Sequence, residues 1–245
     1  MTGSGVSGGD RREGPGEERW FVARERAVYI PAADALVLAD LHLGRGRTSN
    51  VSLALPEFDA IEERLGGLLD AFDPGTVVVA GDVCHAFSTV PEGVPDALAA
   101  LDERVRGAGA DLVLVAGNHD ATLDSLADPV PEHPLDDGTL VHHGHEHPEG
   151  DADRYVIGHE HPAIEIEGRR HPCLLWGAGA YRGGDVLALP AFTDLAAGTV
   201  VNGLRGRDTQ SPLLSSLGAF RPVVRNSGEG ETLVFPPLSA LRARL

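Results

Sequence analysis

Lysine is absent from this chain of 245 residues, so all 20 basic side chains are arginines. Acidic residues outnumber them, and the formal net charge is −17. High negative charge keeps a protein dispersed when salt screens charge interactions, and this composition resembles that of halophilic proteins adapted to high intracellular salt. A basic nucleic-acid footprint is lacking. Because a halophilic surface is acidic whatever it binds, the charge does not exclude a nucleic-acid partner.

Cysteine and long apolar runs are also scarce. Cys84 and Cys173 are the only cysteines and form no CxxC pair, which argues against a disulfide framework and for a reducing compartment. No run approaches the roughly 18 apolar residues of a membrane helix, and the N-terminus lacks the apolar stretch of a signal peptide. The sequence therefore predicts a soluble, cytoplasmic protein that does not bind membranes.

Apolar runs alternate with helical patterns in the first half of the chain. Runs at 35–39, 76–80 and 112–116 are typical of buried strands, and apolar side chains at helical spacing predict helices over 56–72 and about 95–106. This alternation predicts a mostly parallel sheet with helices on its faces. A hairpin formed by 20–23 and 27–30 leads into it.

The chain after residue 120 is richer in short strands, which predict a second sheet packed on the first or on its helices. The expected fold class is α/β, a two-sheet sandwich of mixed β-sheets flanked by helices. Residues 1–18 are Gly-rich and charged, and we expect a disordered tail there. Residues 19–245 are predicted to be one domain, with the motif core at 35–165 and C-terminal strands and a short helix over 166–245.

Five apolar runs end in side chains that bind metals in proteins. The segments are Asp40-Leu41-His42, Gly81-Asp82, Gly117-Asn118-His119-Asp120, His143-Gly144 and Gly158-His159-Glu160-His161. Ligands gather at the carboxyl ends of parallel strands, and an extended backbone would point Asp40 and His42 the same way. Each segment alone also suits a turn, a helix cap or an exposed loop. Together, each behind an apolar strand, they predict a two-metal hydrolase.

The set resembles the five motifs of the calcineurin-like metallophosphoesterases over roughly residues 35–165. The longer forms Asp40-Leu41-His42-Leu43-Gly44 and Leu189-Pro190-Ala191-Phe192 resemble an archaeal branch of predicted phosphoesterases. That branch is related to the nuclease subunits of double-strand-break repair complexes. The resemblance implies a metal-dependent phosphoric ester hydrolase in which two divalent ions share one carboxylate.

Seven side chains would then hold the metals. The resemblance assigns one ion to Asp40, His42 and His161, the other to Asn118, His143 and His159, and the bridging position to Asp82. Two such ions clamp the phosphate and activate a bridging hydroxide that hydrolyses the phosphoester bond. On spacing alone, His142 and His145 compete with His143. Nitrogen and oxygen ligands without sulfur suit Mn²⁺ first, with Fe or Zn²⁺ as alternatives.

The remaining candidates concern the leaving group and the substrate. The resemblance implies that His119 protonates the departing alkoxide. It also implies that Asp120 orients the His119 ring and raises the pKa of that ring. Arg45 and Arg47 follow the first motif on a Gly-containing loop, where they could bind phosphate oxygens or be solvated surface residues. His85 could approach the substrate or have a structural role.

We predict a dinuclear phosphodiesterase, nuclease-like, acting on DNA or RNA. Repair nucleases of this kind carry a DNA-reading region after the last histidines, whereas only about 80 residues follow His161 here. A phosphodiesterase or phosphatase for a small nucleotide is therefore the alternative. A non-catalytic metal-binding scaffold is disfavoured because no motif residue is missing. Metal identity, protein partners and oligomeric state do not follow from the sequence.

Overall fold

The computed structural model describes residues 19–45, 56–85, 89–226 and 230–242. The predicted tail over 1–18 lies outside these ranges, as does Arg47. The helices are α1 Pro56–Phe72, α2 Val94–Gly107 and α3 Leu238–Arg242. In chain order the strands are β1 Val22–Arg24, β2 Ala27–Ile30, β3 Ala35–Leu38, β4 Thr76–Ala80, β5 Asp111–Val115, β6 Glu132–Pro134, β7 Thr139–His142, β8 Arg154–Ile157, β9 Pro162–Ile166, β10 Arg169–Pro172, β11 Leu174–Tyr181, β12 Gly184–Ala188, β13 Thr199–Val200, β14 Arg221–Asn226 and β15 Glu231–Val234.

The first sheet has the order β1-β2-β3-β4-β5. Strands β3, β4 and β5 are parallel, and β1 and β2 form the antiparallel hairpin that the sequence predicts. Both α1 and α2 pack on one face, where Leu65 and Leu101 are buried against Leu36 and Val79. The mostly parallel sheet is confirmed. The prediction of helices on both of its faces is wrong, because the second sheet covers the face opposite α1 and α2.

The second sheet packs face to face on the other side of the first. Its order is β15-β14-β11-β12-β8-β7-β6, with the central strands β12, β8 and β7 parallel. Side chains alternate along each strand, so Val37 and Val78 of the first sheet meet Val141, Val156 and Leu187 of the second. The predicted two-sheet sandwich is confirmed.

The outer face of the second sheet has little helix over it. A three-stranded sheet of order β10-β9-β13, short turns and α3 cover it, with Tyr155, Leu213 and Phe220 in the core between them. The sequence did not indicate β6, β10, β13 or β14. The first two carry proline and charged or imidazole side chains, without the apolar alternation by which strands are recognised. Within the described ranges, no helix combines the length and apolar character needed to cross a membrane.

Candidate metal centre

The motif loops meet because strand pairing continues past the ends of the strands. The backbone N–H of Asp40 donates to the Gly81 carbonyl at 3.1 Å, and that of His42 to the Asp82 carbonyl at 2.9 Å. In the second sheet, the Gly158 N–H donates to the His143 carbonyl at 3.0 Å. The carboxyl ends of β3, β4, β7 and β8 therefore present their side chains to one space between the sheets.

Two carboxylates and two imidazoles converge there. Donor atoms of Asp40, His42, Asp82 and His161 all lie within 4.8 Å of one another. The Nε2 atom of His42 lies 3.3 Å from Nε2 of His161 and 3.8 Å from Oδ2 of Asp82. The Nε2 atom of His161 lies 3.4 Å from Oδ2 of Asp40. Nitrogen and oxygen donors in this arrangement suit a divalent transition metal.

A second set of donors surrounds His143. Its Nδ1–H donates to the Ala80 carbonyl at 3.1 Å, and burial holds the pKa of this histidine well below its usual range. The ring is therefore neutral, with its lone pair on Nε2. That atom faces Oδ1 of Asn118 at 3.0 Å and Oδ1 of Asp82 at 3.4 Å. Three atoms that carry lone pairs face one another here, and a cation would satisfy all three.

The other predicted ligand of this group, His159, lies close by. Its ring centroid is 4.9 Å from that of His143. The competing histidines are placed differently: Nδ1 of His142 accepts the Gly144 N–H at 3.0 Å, and its ring stacks on that of His145 at 6.0 Å. Among these three neighbours, the contacts to Asp82 and Asn118 belong to His143.

The backbone at the cluster is left-handed rather than extended. Positive φ values occur at five of the predicted ligands: Asp40 at 58°, His42 at 48°, Asp82 at 47°, His159 at 68° and His161 at 46°. The expected extended Asp40–His42 segment is therefore wrong. In the loop after β8, His159 and His161 themselves adopt the left-handed backbone that turns the chain. Left-handed backbone costs about 1–2 kcal/mol per residue other than glycine and concentrates at functional sites.

Glycines in the motifs allow the close approach of these loops. A Cβ atom on Gly81 would collide with the His143 ring, and one on Gly158 would lie 2.7 Å from Oδ2 of Asp40. Gly81 also has a φ of +80°. Any larger residue at either position would separate a carboxylate from the imidazoles around it.

Asp120 does not raise the pKa of His119. Its carboxylate accepts the backbone N–H groups of Val83 at 3.1 Å, Cys84 at 2.8 Å and Gly117 at 2.9 Å. It thereby ties the loop after β4 to the loop after β5. The pKa of His119 lies below its ordinary value because of burial and the neighbouring charge of His85. The predicted raised pKa is wrong, because the Asp120 oxygens serve backbone amides.

Two further contacts at the site were missed by the sequence analysis. Glu160 is 1% exposed, and its Oε2 accepts the N–H groups of Gln210 at 2.9 Å and Ser211 at 3.3 Å. The Phe192 N–H donates to the Ala39 carbonyl at 2.8 Å. Both contacts fix residues next to predicted ligands through segments distant in sequence. No periodicity or spacing could have indicated such partners.

The predicted substrate contacts that the structure describes lie beside the cluster. The His85 ring is 5.3 Å from that of His119 and 5.4 Å from that of His42. Arg45 is exposed, and its charge contributes to the lowered pKa of all three histidines. Cys84 is fully buried, with its thiol pKa raised to about 12 by burial, as expected of a small apolar residue.

In the metal-free protein, burial raises the pKa of the carboxyl groups in the cluster. Burial and the charge of Asp40 raise the pKa of Asp82 to about 8. Burial lowers the pKa of His42 to about 2 and that of His159 to about 4. For His161, burial lowers the pKa, but the charge and hydrogen bond of Asp40 outweigh it and raise the value overall. A bound cation would favour neutral imidazoles and ionised carboxylates at this site.

We expect the metal-free protein to lose stability as the pH rises from 6.5 to 8.5. Folded Asp82 keeps its proton until about pH 8, whereas the unfolded carboxyl releases it near pH 4, so this contribution is lost as the pH rises. His161, whose pKa is also raised, acts in the same direction. The histidines with lowered pKa favour folding as the pH rises, but only up to about 6.5.

Thermal unfolding after chelation measures this loss, which we expect to be on the order of 4 °C. The Asp82→Asn variant should show a smaller decrease, because its amide does not titrate. Saturating Mn²⁺ should remove the decrease, since metal binding displaces the proton. An equal midpoint of thermal unfolding at pH 6.5 and pH 8.5 in the chelated wild-type protein would contradict the raised pKa of Asp82.

Similarity to known proteins extends over much of the chain. Residues 34–147 match the model of the family described as calcineurin-like phosphoesterase. The chain is similar to the crystal structure of nuclease MPE from Pseudomonas putida, with 26% identity, a TM-score of 0.57 and coverage of 85% of this chain and 92% of that one. It also matches Yfce, a phosphoesterase from E. coli, with 16% identity, a TM-score of 0.41 and coverage of 81% and 96%. No curated protein matches it.

The fold, the buried cluster, the match to the family model and the similarity to nuclease MPE define a metal-dependent phosphoester hydrolase. Four of the five predicted motifs lie within residues 34–147, the segment that matches the calcineurin-like phosphoesterase model. The motif at 158–161 follows the matched segment, yet its His161 lies in the same cluster as Asp40. The site therefore extends beyond the residues that the family model matches.

Proposed function

We propose that the protein is a dinuclear phosphodiesterase that cleaves nucleic acid. Asp40, His42 and His161 would hold one divalent cation, and Asn118, His143 and His159 the other. We propose Mn²⁺ for both positions, since the donors are nitrogen and oxygen without sulfur. When bound, two such cations polarise the phosphoryl group and lower the pKa of the attacking water.

The position of Asp82 is the observation that carries this proposal. Its Oδ2 lies 3.8 Å from Nε2 of His42, on the side of the first donor set. Its Oδ1 lies 3.4 Å from Nε2 of His143, on the side of the second. The His119 backbone N–H also donates to Oδ1 at 3.0 Å and fixes the carboxylate. One carboxylate between two donor sets is suited to bridging two cations.

His119 is the proposed acid for the leaving group. Its Nε2 lies 3.9 Å from Oδ2 of Asp82, and its ring is 26% exposed, so it reaches both the cluster and the substrate side. A phosphodiester anion placed against it would favour the protonated ring. Asp120 holds the loop from which this histidine projects, and Arg45, Arg47 and His85 are the proposed contacts to phosphate oxygens.

Nucleic acid is the proposed substrate because the similar structure with the higher identity is a nuclease. The Leu189–Phe192 motif and the order of the ligand motifs support the same choice. A small nucleotide phosphoester is the second candidate, since Arg45 and His85 alone could bind a single phosphate group. We also propose that residues 19–245 act as one domain, since the contacts of Glu160 and Phe192 join the C-terminal half to the site.

Hydrolysis by the metal-free protein reconstituted with Mn²⁺ tests the substrate. Linear and hairpin DNA are compared with bis-p-nitrophenyl phosphate in molar salt, with metal content measured in parallel. We expect cleavage of both the DNA and the small diester. Cleavage of the small diester alone would reject the nucleic-acid assignment in favour of nucleotides. Inactivity on both, with two metals bound, would reject the enzyme in favour of a metal-binding scaffold.

A further inference from the structure

An arginine-lined cleft lies apart from the metal cluster. It encloses about 240 Å³ beside the β1–β2 hairpin, and its walls are mainly polar. Four arginines line it, together with a single acidic residue, Glu25: they are Arg24, Arg26, Arg64 and Arg225. In a chain with a net charge of −17, four of the 20 arginines around one cleft make a local concentration of positive charge.

Two of these guanidinium groups share one carboxylate. Arg26 donates to the carbonyls of Ala191 and Thr193 at 3.2 and 2.6 Å and pairs with Asp194 at 2.5 Å. Arg64 donates to the Phe192 carbonyl at 2.5 Å and pairs with the same Asp194 at 2.8 Å. Carbonyl oxygens carry no net charge, so Asp194 balances only one of the two arginines.

The other two guanidinium groups have no acidic partner within the described part of the chain. Arg225 donates to the hydroxyl of Thr232 at 3.0 Å, a neutral group. Arg24 is exposed at the end of β1, and Glu25 follows it in the turn. The cleft therefore has an excess of positive charge and unused N–H donors. Guanidinium groups in this state bind phosphate oxygens through paired hydrogen bonds.

The cleft lies at the same edge of the first sheet as the metal cluster. Val28 pairs with Val37, which brings the turn before β2 alongside Ala39 at the end of β3. The Phe192 N–H donates to the Ala39 carbonyl at 2.8 Å, and Asp40 follows directly. The segment from Ala191 to Thr193, held by Arg26 on the cleft side, thus separates the cleft from the metal cluster.

We propose that this cleft binds a phosphate group of a polynucleotide strand whose scissile phosphate lies at the metal cluster. The proposal deepens the nuclease function and rests on it. An acidic protein repels nucleic acid at long range, so a site of this kind would supply the phosphate contacts that position the strand. A small diester is too short to reach it, and the cleft would not affect its hydrolysis.

The double variant Arg24→Gln/Arg225→Gln tests the cleft, since neither arginine contacts the segment next to Asp40. Binding of a fluorescent single-stranded oligonucleotide is measured with Mn²⁺ in the His119→Ala background, where cleavage is suppressed. We expect binding to weaken about tenfold. The slope of the logarithm of the binding constant against the logarithm of salt concentration should become shallower by the amount that corresponds to the loss of about one to two phosphate contacts. In the otherwise wild-type enzyme, kcat/KM for bis-p-nitrophenyl phosphate should stay within twofold.

Arg169→Gln/Arg170→Gln is the matched control, because both arginines are exposed on β10 outside the cleft. Unchanged oligonucleotide binding in the cleft variant, or an equal loss in the control, would overturn the proposal. An equal loss for a nucleoside monophosphate would reassign the cleft to free nucleotides. If the wild type binds the oligonucleotide through these arginines but does not cut DNA, the cleft stands and the nuclease function fails.

Discussion

Asp82→Asn abolishes phosphoester hydrolysis, with kcat for bis-p-nitrophenyl phosphate expected to fall by about 10³-fold or more. The carboxylate lies between the His42 and His143 donor sets, and the two proposed cations would depend on its charge to offset their mutual repulsion. An amide keeps the shape and one oxygen donor but loses that charge. We expect the bound metal to fall from two equivalents per chain to one or fewer, measured by elemental analysis after desalting.

The matched control is Asp128→Asn, which replaces an exposed carboxylate outside the motif loops. Circular dichroism of both variants shows whether the fold is retained; we expect it to be, because Asp82 is uncharged in the metal-free protein over most of the neutral range. Full turnover with two metals bound in Asp82→Asn would exclude the bridging role.

His119→Ala is expected to slow DNA cleavage by about 10²–10⁴-fold, the usual size of general acid–base catalysis. The p-nitrophenolate ion is a weak base that departs without a proton, so hydrolysis of bis-p-nitrophenyl phosphate should fall by less than about tenfold. The alkaline limb of the pH–rate profile on DNA should disappear with the side chain. Single-turnover rates with a DNA hairpin and with the small diester give this comparison.

The control is His133→Ala, which removes an imidazole of β6 outside the motif loops. If His119 protonates the leaving group, its loss must slow cleavage of DNA much more than hydrolysis of bis-p-nitrophenyl phosphate. If His119→Ala slowed both to the same degree, the histidine would be acting on metal or substrate binding instead. The pKa of His119 is lowered in the metal-free protein, so the ring is expected to take up its proton from solvent only when the negative charge of the bound phosphodiester raises that pKa.

The strands and helices of the sandwich were predictable because burial acts through periodicity. The helix over 56–72 and the strand over 76–80 have the bounds that their apolar patterns predict. Parallel pairing of β3, β4 and β5 then brings Asp40, Asp82 and Asn118 to one edge. Strands β6, β10, β13 and β14 were not predicted because they lack this apolar pattern. They form nevertheless, because backbone hydrogen bonds to a neighbouring strand are possible with almost any side chain.

The sequence by itself determined which residues end each strand, and therefore which chemical groups reach the site. The tertiary structure decided how they point. The left-handed backbone at Asp40 and His161, the contacts of His143 with Asp82 and Asn118, and the binding of Asp120 to three amides all depend on loops distant in sequence. The arginine cleft has the same origin. Side-chain direction beyond a strand end is set by whichever backbone amides and carbonyls lie opposite, and these are fixed only when the two sheets pack together.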